Sequence, residues 1–411
     1  MAKHSVEQSD GGKQGLGVGG IDVAKDWHYV QWLDTNGRPV GKAFRFANTR
    51  AGFEAMWERR PSEVVRVGME STGHYWLRAQ GAEVVLVQPA HVHRLKELDD
   101  NTPTKTDAKD ARVIARLVYD GRWFRWDPRG GALAQLATLA VTRRQHHQDV
   151  MRWRARIAGW LHQYFPEFFT VFKAWDGKAA LTTLDTLPTP DLVLAQSVDA
   201  IADQFKAATK NRVGAKRAHA LHQAAVDSIG IPVGRATARL QLASYLRSWR
   251  AALAAQRAIE AEQAAILADL APAQPLFSIP GFGPQVIATL LGELGDLSRF
   301  ADARQAQKMA GLNLTQISSG HHQGQTHIAK RGRPAARAVL YQAACVAVAK
   351  DPQWKAWYHS LTRRAAHPLA PKAAMVAVAT KLLRVAWACM KHGQVYDAAR
   401  LFPSGEVLAA A

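Results

Sequence analysis

Residues 18–33 read VGGIDVAKDWHYVQWL, and this run of β-branched and aromatic residues decides how the fold begins. We predict two adjacent strands at 21–33, separated by a bend near Lys25-Asp26. A third strand is predicted at 41–46 and a helix at 51–58. The chain is therefore expected to open with an antiparallel meander.

Two shorter apolar runs follow at 64–69 and 83–87, and a helix is predicted between them at 74–80. Short continuous runs of this kind suit inner strands that helices cover on both faces. A meander followed by βαβ units is the sequence outline of an RNase H or RuvC-like fold. We therefore predict an α/β N-terminal domain with a mixed sheet, followed by regions that are mostly helical.

Four carboxylates stand at the ends of these elements. Asp22 ends the first strand, Glu70 follows the next apolar run, and Asp107 and Asp110 lie in the first turn of a helix predicted for 107–119. Because positions three apart share a helix face, Asp107 and Asp110 should extend the apolar stripe of this helix and point inward. The alternative is that both are favourable first-turn acids at a helix N-terminus.

Carboxylates from two strand ends and one helix N-terminus can together hold one or two Mg²⁺ ions, which take hard oxygen ligands. In a two-metal site one ion activates the attacking oxygen and the other stabilises the leaving oxygen of a phosphodiester. Each acid taken singly is explained equally well as solvated charge. Because all four lie where the predicted fold could bring them together, we predict a divalent-metal site.

The basic surplus of the chain lies outside the segment that carries these acids. The 411 residues have a formal net charge of +19. Residues 1–120 hold 17 basic and 16 acidic side chains, which leaves 36 basic and 18 acidic side chains for residues 121–411. A surplus of this size favours a polyanionic partner. The sequence thus predicts a metal-binding module beside a separate module that holds a polyanion.

The sequence gives no support to a disulfide framework, a cysteine-based zinc site or a membrane protein. Its two cysteines, Cys345 and Cys389, lie in apolar helical runs and are expected to be reduced core residues. The N-terminal residues are polar, and the most apolar late run, 375–390, is interrupted by Lys381 and Arg384. We expect a soluble, cytoplasmic protein.

The middle of the chain is predicted to be helical and basic. At 131–170, where a long helix or helix pair is expected, aromatic side chains alternate with arginines, which suits phosphate contact and base stacking. A second long helix is expected at 236–270, with leucines at heptad spacing but Glu260 between them, so the seam is too irregular to establish a coiled coil. The helix at 236–270 fits a helical arm used for dimerisation or domain packing. We assign no secondary structure to 171–235.

A further module is predicted to begin after Pro275. The segment 278–284, SIPGFGP, resembles a helix-hairpin-helix turn, in which Gly281 and Gly283 would let backbone N–H groups approach a phosphate. A tight turn between packed helices explains the same glycines equally well. Helices are then predicted at about 286–294, 335–348, 354–364 and 372–391.

The side chains predicted to contact nucleic acid are basic and lie in three places along the chain. Lys105 and Arg112, which flank the acids, could instead form ordinary ion pairs at the surface. The set comprises Lys105 and Arg112 beside the acids, Arg143, Arg144, Arg152 and Arg154 in the first long helix, and Lys330, Arg331 and Arg333 before the last helices.

Six segments support a more specific interpretation. They are GIDVAK at 20–25, MESTG at 69–73, KTDAKDAR at 105–112, IPGFG at 279–283, AGL at 310–312 and SSG at 318–320. In this order they resemble the motifs of the DEDD insertion-sequence transposases of the IS-one-ten type, whose studied members are bridge-RNA-guided recombinases. The resemblance covers roughly 18–397, and the motifs are specific jointly although each is weak alone.

The resemblance implies that the four carboxylates are the metal-binding quartet of a RuvC-like domain, with Mg²⁺ as cofactor and Mn²⁺ as a substitute. It also implies a serine that attacks the scissile phosphate and forms a transient covalent link to DNA. The matching residue is Ser319, directly before Gly320, and Ser318 is its competitor. A serine hydroxyl is a weak nucleophile until it is activated, so the serine must meet the carboxylates in space. His321 or His322 could assist proton transfer, although solvated loop histidines are the simpler interpretation.

The partners implied by the resemblance are donor and target double-stranded DNA, a non-coding bridge RNA and further copies of the chain. In the family the composite site forms between subunits, so we expect a dimer, and a tetramer in the synaptic complex. The location implied is the bacterial cytoplasm, in association with the nucleoid. Two alternative functions remain. One is a RuvC-like nuclease or resolvase that uses water as the nucleophile, and the other is a nucleic-acid-binding protein that is non-catalytic or a decayed transposase copy.

The predicted organisation has five parts. They are a flexible lead-in at 1–16, a RuvC-like domain at 17–125, a helical linker or dimerisation region at 126–271, a C-terminal transposase domain with the serine motif at 272–400, and a tail at 401–411.

Overall fold

The computed structural model of the chain describes residues 16–63, 65–70, 81–100, 106–125, 130–316, 318–319, 322–323 and 326–402. Within these ranges the side chains of 97–100, 125, 318–319 and 322–323 are outside the description. The chain divides into two compact units, Met1–Pro128 and Arg129–Ala411. The predicted five-part division is a finer one, and its boundaries stay predictions.

The N-terminal unit is built on a mixed sheet of six described strands in the order β3-β2-β1-β4-β5-β6. The central strand β1 pairs antiparallel with β2 and parallel with β4. Beyond these, β2 pairs antiparallel with β3, β4 parallel with β5, and β5 antiparallel with β6. The elements are β1 (Gly17–Asp22), β2 (Trp27–Leu33), β3 (Phe44–Ala47), α1 (Arg50–Glu58), β4 (Val65–Met69), β5 (Glu83–Leu86), α2 (Pro89–Asp100), α3 (Asp107–Tyr119) and β6 (Phe124–Arg125).

The predicted meander and its two following strands are therefore present, which confirms a mixed α/β N-terminal part. The third strand begins at Phe44 and not at Gly41, where a φ of +69° turns the backbone away from an extended path. The helix predicted at 74–80 lies outside the described residues.

The sheet is covered on both faces by helices. Side chains of α1, such as Phe53 and Met56, pack with one face of the strands, and α2 and α3 contribute Val92 and Ile114 to a second core. Two glycines let α3 lie directly on the sheet: a Cβ added at Gly20 would stand 2.1 Å from the backbone N of Ala115. A Cβ at Gly68 would stand equally close to a methyl group of Val118. The position of α3 is therefore fixed against β1 and β4.

The C-terminal unit is mostly helical and has two hydrophobic cores. In the first, the long helices α4 and α10 pack together with the shorter helices between them. Residues 171–235, which the sequence left unassigned, form most of these short helices. The elements are α4 (Gly131–Tyr164), α5 (Phe168–Val171), α6 (Lys178–Thr186), α7 (Pro190–Leu194), α8 (Val198–Thr209), α9 (Ala215–Val226) and α10 (Arg235–Ala268).

The expectation that aromatic residues of the first long helix stack on bases is wrong for most of them. Trp160, Phe165 and Phe168 are at most 3% exposed and belong to the first core of this unit. The irregular heptad position in α10 also has a structural explanation, because Glu260 accepts a hydrogen bond from Arg143 of α4 at 2.8 Å. Packing in the first core of the same chain, which α4 shares, therefore accounts for Leu242 and Leu246 of α10.

The second core gathers the last helices of the chain. A 3₁₀ turn at Ala271–Ser278 leads into it, and a second one spans Leu297–Arg299. The remaining elements are α11 (Pro284–Leu294), α12 (Ala303–Ala310), β7 (Leu314–Thr315), β8 (Ser318–Ser319), β9 (His322–Gln323), β10 (His327–Ile328), α13 (Pro334–Lys350), α14 (Pro352–Arg363), α15 (Pro371–His392) and α16 (Ala398–Leu401). Strand β7 pairs with β10, and β8 with β9.

Helix α15 is the one helix within the described ranges that is long and apolar enough to cross a membrane. Half of that stretch is buried, and Val378 and Leu382 lie in the second core, so its apolar character is that of a core helix. The two cysteines differ from expectation: Cys389 on α15 is buried, whereas Cys345 on α13 is exposed. The expectation that Cys345 is a core residue is therefore wrong, because this side chain lies on the exposed side of α13.

Candidate active site

The sheet register places two of the predicted acids side by side. In β1, Ile21 is level with Met69 of the parallel neighbour β4, so Asp22 and Glu70, the next residues, are level as well. Directly paired positions share a face of the sheet. Because Gly20 contacts α3 and Asp22 lies two residues on, Asp22 points to the α3 face of the sheet.

The first turn of α3 comes to the same edge. Gly20 meets Ala111 and Ala115, and one helical turn before Ala111 is the N-terminus of α3 with its two acids. Thr106 caps this end, since the backbone N–H of Lys109 donates to its hydroxyl at 3.3 Å. Asp107 and Asp110 are therefore acids in the first turn of a helix, where negative charge is favourable, and they also lie at the edge of the sheet that carries Asp22.

Electrostatic interaction links Asp22 to the other three acids. The pKa of the Asp22 carboxyl is raised from 3.8 to about 6. Burial is the largest cause, and the next three are the negative charges of Asp110, Asp107 and Glu70. The ammonium group of Lys96 acts in the opposite direction. Asp22 thus lies in the combined field of the other three acids.

The two acids of α3 have different surroundings. Asp110 is 7% exposed, whereas Asp107 is exposed, so the expectation that both point inward is wrong for Asp107. Lys96 of α2 forms an ion pair with Asp110 Oδ2, and its side chain is 20% exposed. The other oxygen, Asp110 Oδ1, is buried and accepts no hydrogen bond from the described residues.

These residues suit a hard divalent cation by their donor type. Within the described ranges no group of three His, Cys, Asp or Glu side chains is arranged to hold a metal ion. The cluster does contain one buried carboxylate oxygen, Asp110 Oδ1, that accepts no hydrogen bond from the described residues. The cluster as a whole has an excess of negative charge, which Lys96 partly offsets. An all-oxygen donor set with these properties is the type that Mg²⁺ takes.

Lys96 is a site residue that the sequence reasoning missed. Its spacing of four from Val92, which is buried, places both on the inner face of α2. A lysine on the apolar face of a helix beside an acidic cluster is a signal that could have found it.

The predicted nucleic-acid side chains are distributed as follows. Lys105 lies outside the described residues, and Arg112 is exposed on α3. The four arginines of α4 all pair with carboxylates of the C-terminal unit, so a phosphate would have to compete for them, and their nucleic-acid role stays a prediction. The pairs are Arg143–Glu260 at 2.8 Å, Arg144–Glu293 at 3.3 Å, Arg152–Asp149 at 2.9 Å, and Arg154–Asp176.

The two glycines of the helix-hairpin-helix-like turn differ. Gly281 has a φ of +84°, and a Cβ there would stand 2.3 Å from the carbonyl oxygen of Ala343, so this glycine serves a tight turn against α13. Gly283 caps α11 and faces open space, which leaves room for a phosphate. For Gly281 the structure thus favours the packing interpretation.

The basic stretch before α13 is exposed at Lys330, Arg331 and Arg333, and none of the ion pairs among the described residues includes them. The backbone N–H of Lys330 donates to Gly311 O at 3.1 Å, and that of Arg333 donates to Met309 O at 3.0 Å. The stretch is therefore anchored to the end of α12 while its side chains face solvent.

The predicted nucleophile lies in a short hairpin. Ser318 and Ser319 form β8, where Ser319 is paired with His322 of β9. The side chains of these residues, like His321 as a whole, are outside the description. The choice between the two serines therefore stays a prediction.

Comparison with known proteins matches both units of the chain. A DEDD transposase family profile matches residues 19–166, and a profile of the IS116/IS110/IS902 transposase family matches residues 273–359. Together the two profiles span more than half of the chain. It belongs to the IS110 family of insertion-sequence transposases.

Individual proteins similar to this IS110-type transposase also come from insertion sequences. The candidate transposase of the IS117 mini-circle from Streptomyces coelicolor is 28% identical, and the alignment covers 93% of this chain and 96% of the relative. An uncharacterized 43.6 kDa protein of insertion element IS110, also from S. coelicolor, is 25% identical over 95% and 97% of the two chains. The IS1328 transposase of Yersinia enterocolitica is 32% identical over 34% of this chain and 42% of its own. The chain is thus an enzyme that acts on DNA.

Proposed function

We propose that this transposase cuts and rejoins DNA through a serine nucleophile at a Mg²⁺-dependent carboxylate quartet in a RuvC-like domain, and that a bridge RNA selects the DNA. The observation that carries the proposal is the position of Asp22, whose pKa is raised to about 6 by burial first and then by the negative charges of Asp110, Asp107 and Glu70. A cluster of like charges is costly unless a cation or proton offsets it, and such clusters mark functional sites.

The proposed ligands are Asp22, Glu70, Asp107 and Asp110. When bound, Mg²⁺, or Mn²⁺ in its place, would supply Lewis-acid activation of the attacking and leaving oxygens. Asp110 would offer its buried Oδ1, and Asp107, being exposed, would face the substrate side. Lys96 would hold Asp110 in place in the metal-free protein.

The proposed covalent step begins with attack of Ser319 Oγ on the scissile phosphorus. A bond forms between Oγ and phosphorus, the bond from phosphorus to a sugar oxygen of the strand breaks, and the serine proton is given up to a base. The energy of the phosphodiester is kept in the protein–DNA link, so a second strand can be joined without an added energy source. The IS116/IS110/IS902 match at 273–359 contains this serine motif and supports the assignment.

Two variants test the chemistry. We expect both Asp22→Asn and Ser319→Ala to abolish strand exchange, and Ser319→Ala also to remove the protein–DNA adduct seen on denaturing gels. Ser318→Ala is the matched control and should keep the adduct. An adduct that survives Ser319→Ala but not Ser318→Ala would identify the other serine, and Mg²⁺-dependent cleavage without any adduct would favour a hydrolytic nuclease. Absence of Mg²⁺-dependent cleavage altogether would indicate a decayed copy.

The guide RNA, the dimer and the tetramer are proposed from the family resemblance, and the charge of residues 121–411 is compatible with an RNA partner. If base pairing reads the target, no side chain need encode its sequence. Purification from the native host followed by sequencing of the bound RNA tests this part. One enriched RNA species encoded next to the gene is expected, and only random cellular RNA would contradict it.

A further inference from the structure

The row of side chains that includes Asp22 continues outward along the sheet. Asp22 is paired with Tyr29 of β2, and Tyr29 is paired with Arg45 of β3. Directly paired residues share a face, so Arg45, Tyr29 and Asp22 form a row on the α3 face. Trp27, two residues before Tyr29, lies on that face as well.

Trp27 and Arg45 form a stacked pair at the outer end of this row. The guanidinium carbon of Arg45 lies 4.9 Å from the centroid of the Trp27 ring. Trp27 is 49% exposed although it is a large aromatic residue, and Arg45 is exposed too. An indole with a free surface beside a guanidinium is the combination with which proteins bind unpaired bases and their phosphates.

The backbone around Trp27 is held in place on two sides. The backbone N–H of Asn48 donates to Asp26 O at 2.9 Å, and its side-chain amide donates to Lys25 O at 3.0 Å. From the other side, the Ala24 N–H donates to Nδ1 of the buried His28 at 3.2 Å. The segment that links Asp22 to Trp27 is therefore fixed at both ends, and the ring keeps a constant position relative to the carboxylates.

The spacing suits a strand that is being cut. Arg45 lies two strands from Asp22, about 10 Å at ~4.8 Å per strand. A paired strand advances ~3.4 Å per nucleotide and an unpaired strand can be more extended, so this distance corresponds to about three nucleotides or fewer. A base near the scissile phosphate can thus reach Trp27 while the phosphate lies at the quartet.

We propose that Trp27 and Arg45 form a platform that binds an unpaired base of the DNA strand beside the phosphate to be cut. Trp27 stacks on the base and Arg45 contacts the adjoining phosphate, with Tyr29 between them and the carboxylates. The proposal rests on the proposed function, since it assumes that the quartet is where the strand is cut. It adds a DNA contact on the nearly neutral unit, away from the basic surplus.

The sheet offers a matched control. On the opposite face of the same edge, Arg59 lies over the ring of Phe44 at 4.7 Å, and Phe44 packs against the core of α1. Both pairs combine an exposed guanidinium with an aromatic ring of this sheet edge. Arg59→Gln therefore removes an equal charge and an equal cation–π contact on the face without the carboxylates.

The test measures DNA binding by the full-length protein in EDTA, so that it does not depend on cleavage. The probes are a fluorescein-labelled single strand and the fully paired duplex of the same sequence. We expect Trp27→Ala to weaken single-strand binding about tenfold, the size of one lost base stack, and duplex binding by less than about twofold. Trp27→Phe should restore most of the loss, and Arg45→Gln should weaken single-strand binding more than Arg59→Gln does.

A second measurement locates the contact. Single strands that carry 5-iododeoxyuridine are irradiated with the protein, and the crosslinked peptide is identified by mass spectrometry. A crosslink at Trp27 that Trp27→Ala removes is expected. Unchanged single-strand affinity in Trp27→Ala, equal losses for single strand and duplex, or crosslinks to Trp27 from an iodouridine-labelled RNA but not from DNA would each overturn the proposal. A wild-type protein that binds single-stranded DNA at Trp27 but never cleaves DNA would instead contradict the proposed function and not the base contact.

Discussion

Asp22 is the side chain whose protonation couples the acidic cluster to stability. Its folded-state pKa of about 6 lies above the unfolded value near 3.8, so the contribution of protonated Asp22 is complete below 3.8 and is lost as the pH rises through 6. We therefore predict that Asp22→Asn stabilises the metal-free protein at pH 7.5. The gain is about 1 kcal/mol, less than the full shift implies because the carboxyl is half-exposed and screened.

Thermal unfolding in EDTA at pH 4 and pH 7.5 measures this effect. The variant and the wild type should melt together at pH 4 and apart at pH 7.5. A gain of the same size at both pH values would show that the electrostatic explanation is wrong.

Lys96 is expected to compete with a metal ion for Asp110. In Lys96→Met the buried carboxylate loses its ion pair, which should lower the unfolding free energy of the metal-free protein by about 1–3 kcal/mol. Added Mg²⁺ should then raise the melting temperature of this variant more than that of the wild type. Arg94→Met, an exposed neighbour on α2, is the control. Equal Mg²⁺ responses in all three proteins would exclude the competition.

At the scale of single elements, the sequence predicted what local periodicity determines. The apolar stripe of α3 and the β-branched and aromatic run at 21–33 were sufficient to predict that helix and the first two strands, although β1 begins earlier, at Gly17. The row from Arg45 to Glu70 could not be predicted, because it depends on the register between strands that are distant in sequence. In the same way, the sequence did not predict that Arg143 and Arg144 of α4 pair with Glu260 and Glu293, because these glutamates lie in helices that are distant in sequence.

The contact between the two long helices provides a test at this scale. Arg143 and Glu260 are each about a quarter exposed, whereas the pair Arg152–Asp149 is formed within α4 and is largely exposed. A double-mutant cycle with Arg143→Met and Glu260→Gln should give a coupling energy of about 1 kcal/mol. The same cycle at Arg152 and Asp149 should give less than ~0.5 kcal/mol. Chemical denaturation measures both, and equal couplings would contradict the assignment of Arg143 to helix packing.

For the whole molecule, the separation of charge is the property that the sequence predicted best. A near-neutral segment and a basic one are counted directly from the residues, and the structure divides the chain close to that point. In the proposed function Ser319 must also meet the carboxylates, which belong to the other unit. That step could not be predicted from either segment, because in the proposal it requires nucleic acid and further copies of the chain.

The basic stretch before α13 should contribute to the salt dependence of duplex binding. Each phosphate contact adds about 0.9 to the slope of log K against log salt. Replacing Lys330, Arg331 and Arg333 by Gln should therefore reduce the slope by about 2 to 3. The control carries the same three-charge change in the N-terminal unit, at Arg38, Lys42 and Arg59, all exposed. Fluorescence anisotropy titrations over a range of NaCl measure both slopes, and equal reductions would argue against a dedicated contact.

The exposed position of Cys345 has a practical consequence for testing the proposed strand exchange. The chain contains two cysteines, and burial raises the pKa of the thiol of Cys389, so a maleimide dye should react first at Cys345. The natural sequence can thus carry a single fluorophore on α13 without any cysteine being removed. Energy transfer from that dye to an acceptor on the DNA would test in real time whether the C-terminal unit approaches the DNA as the proposed function requires.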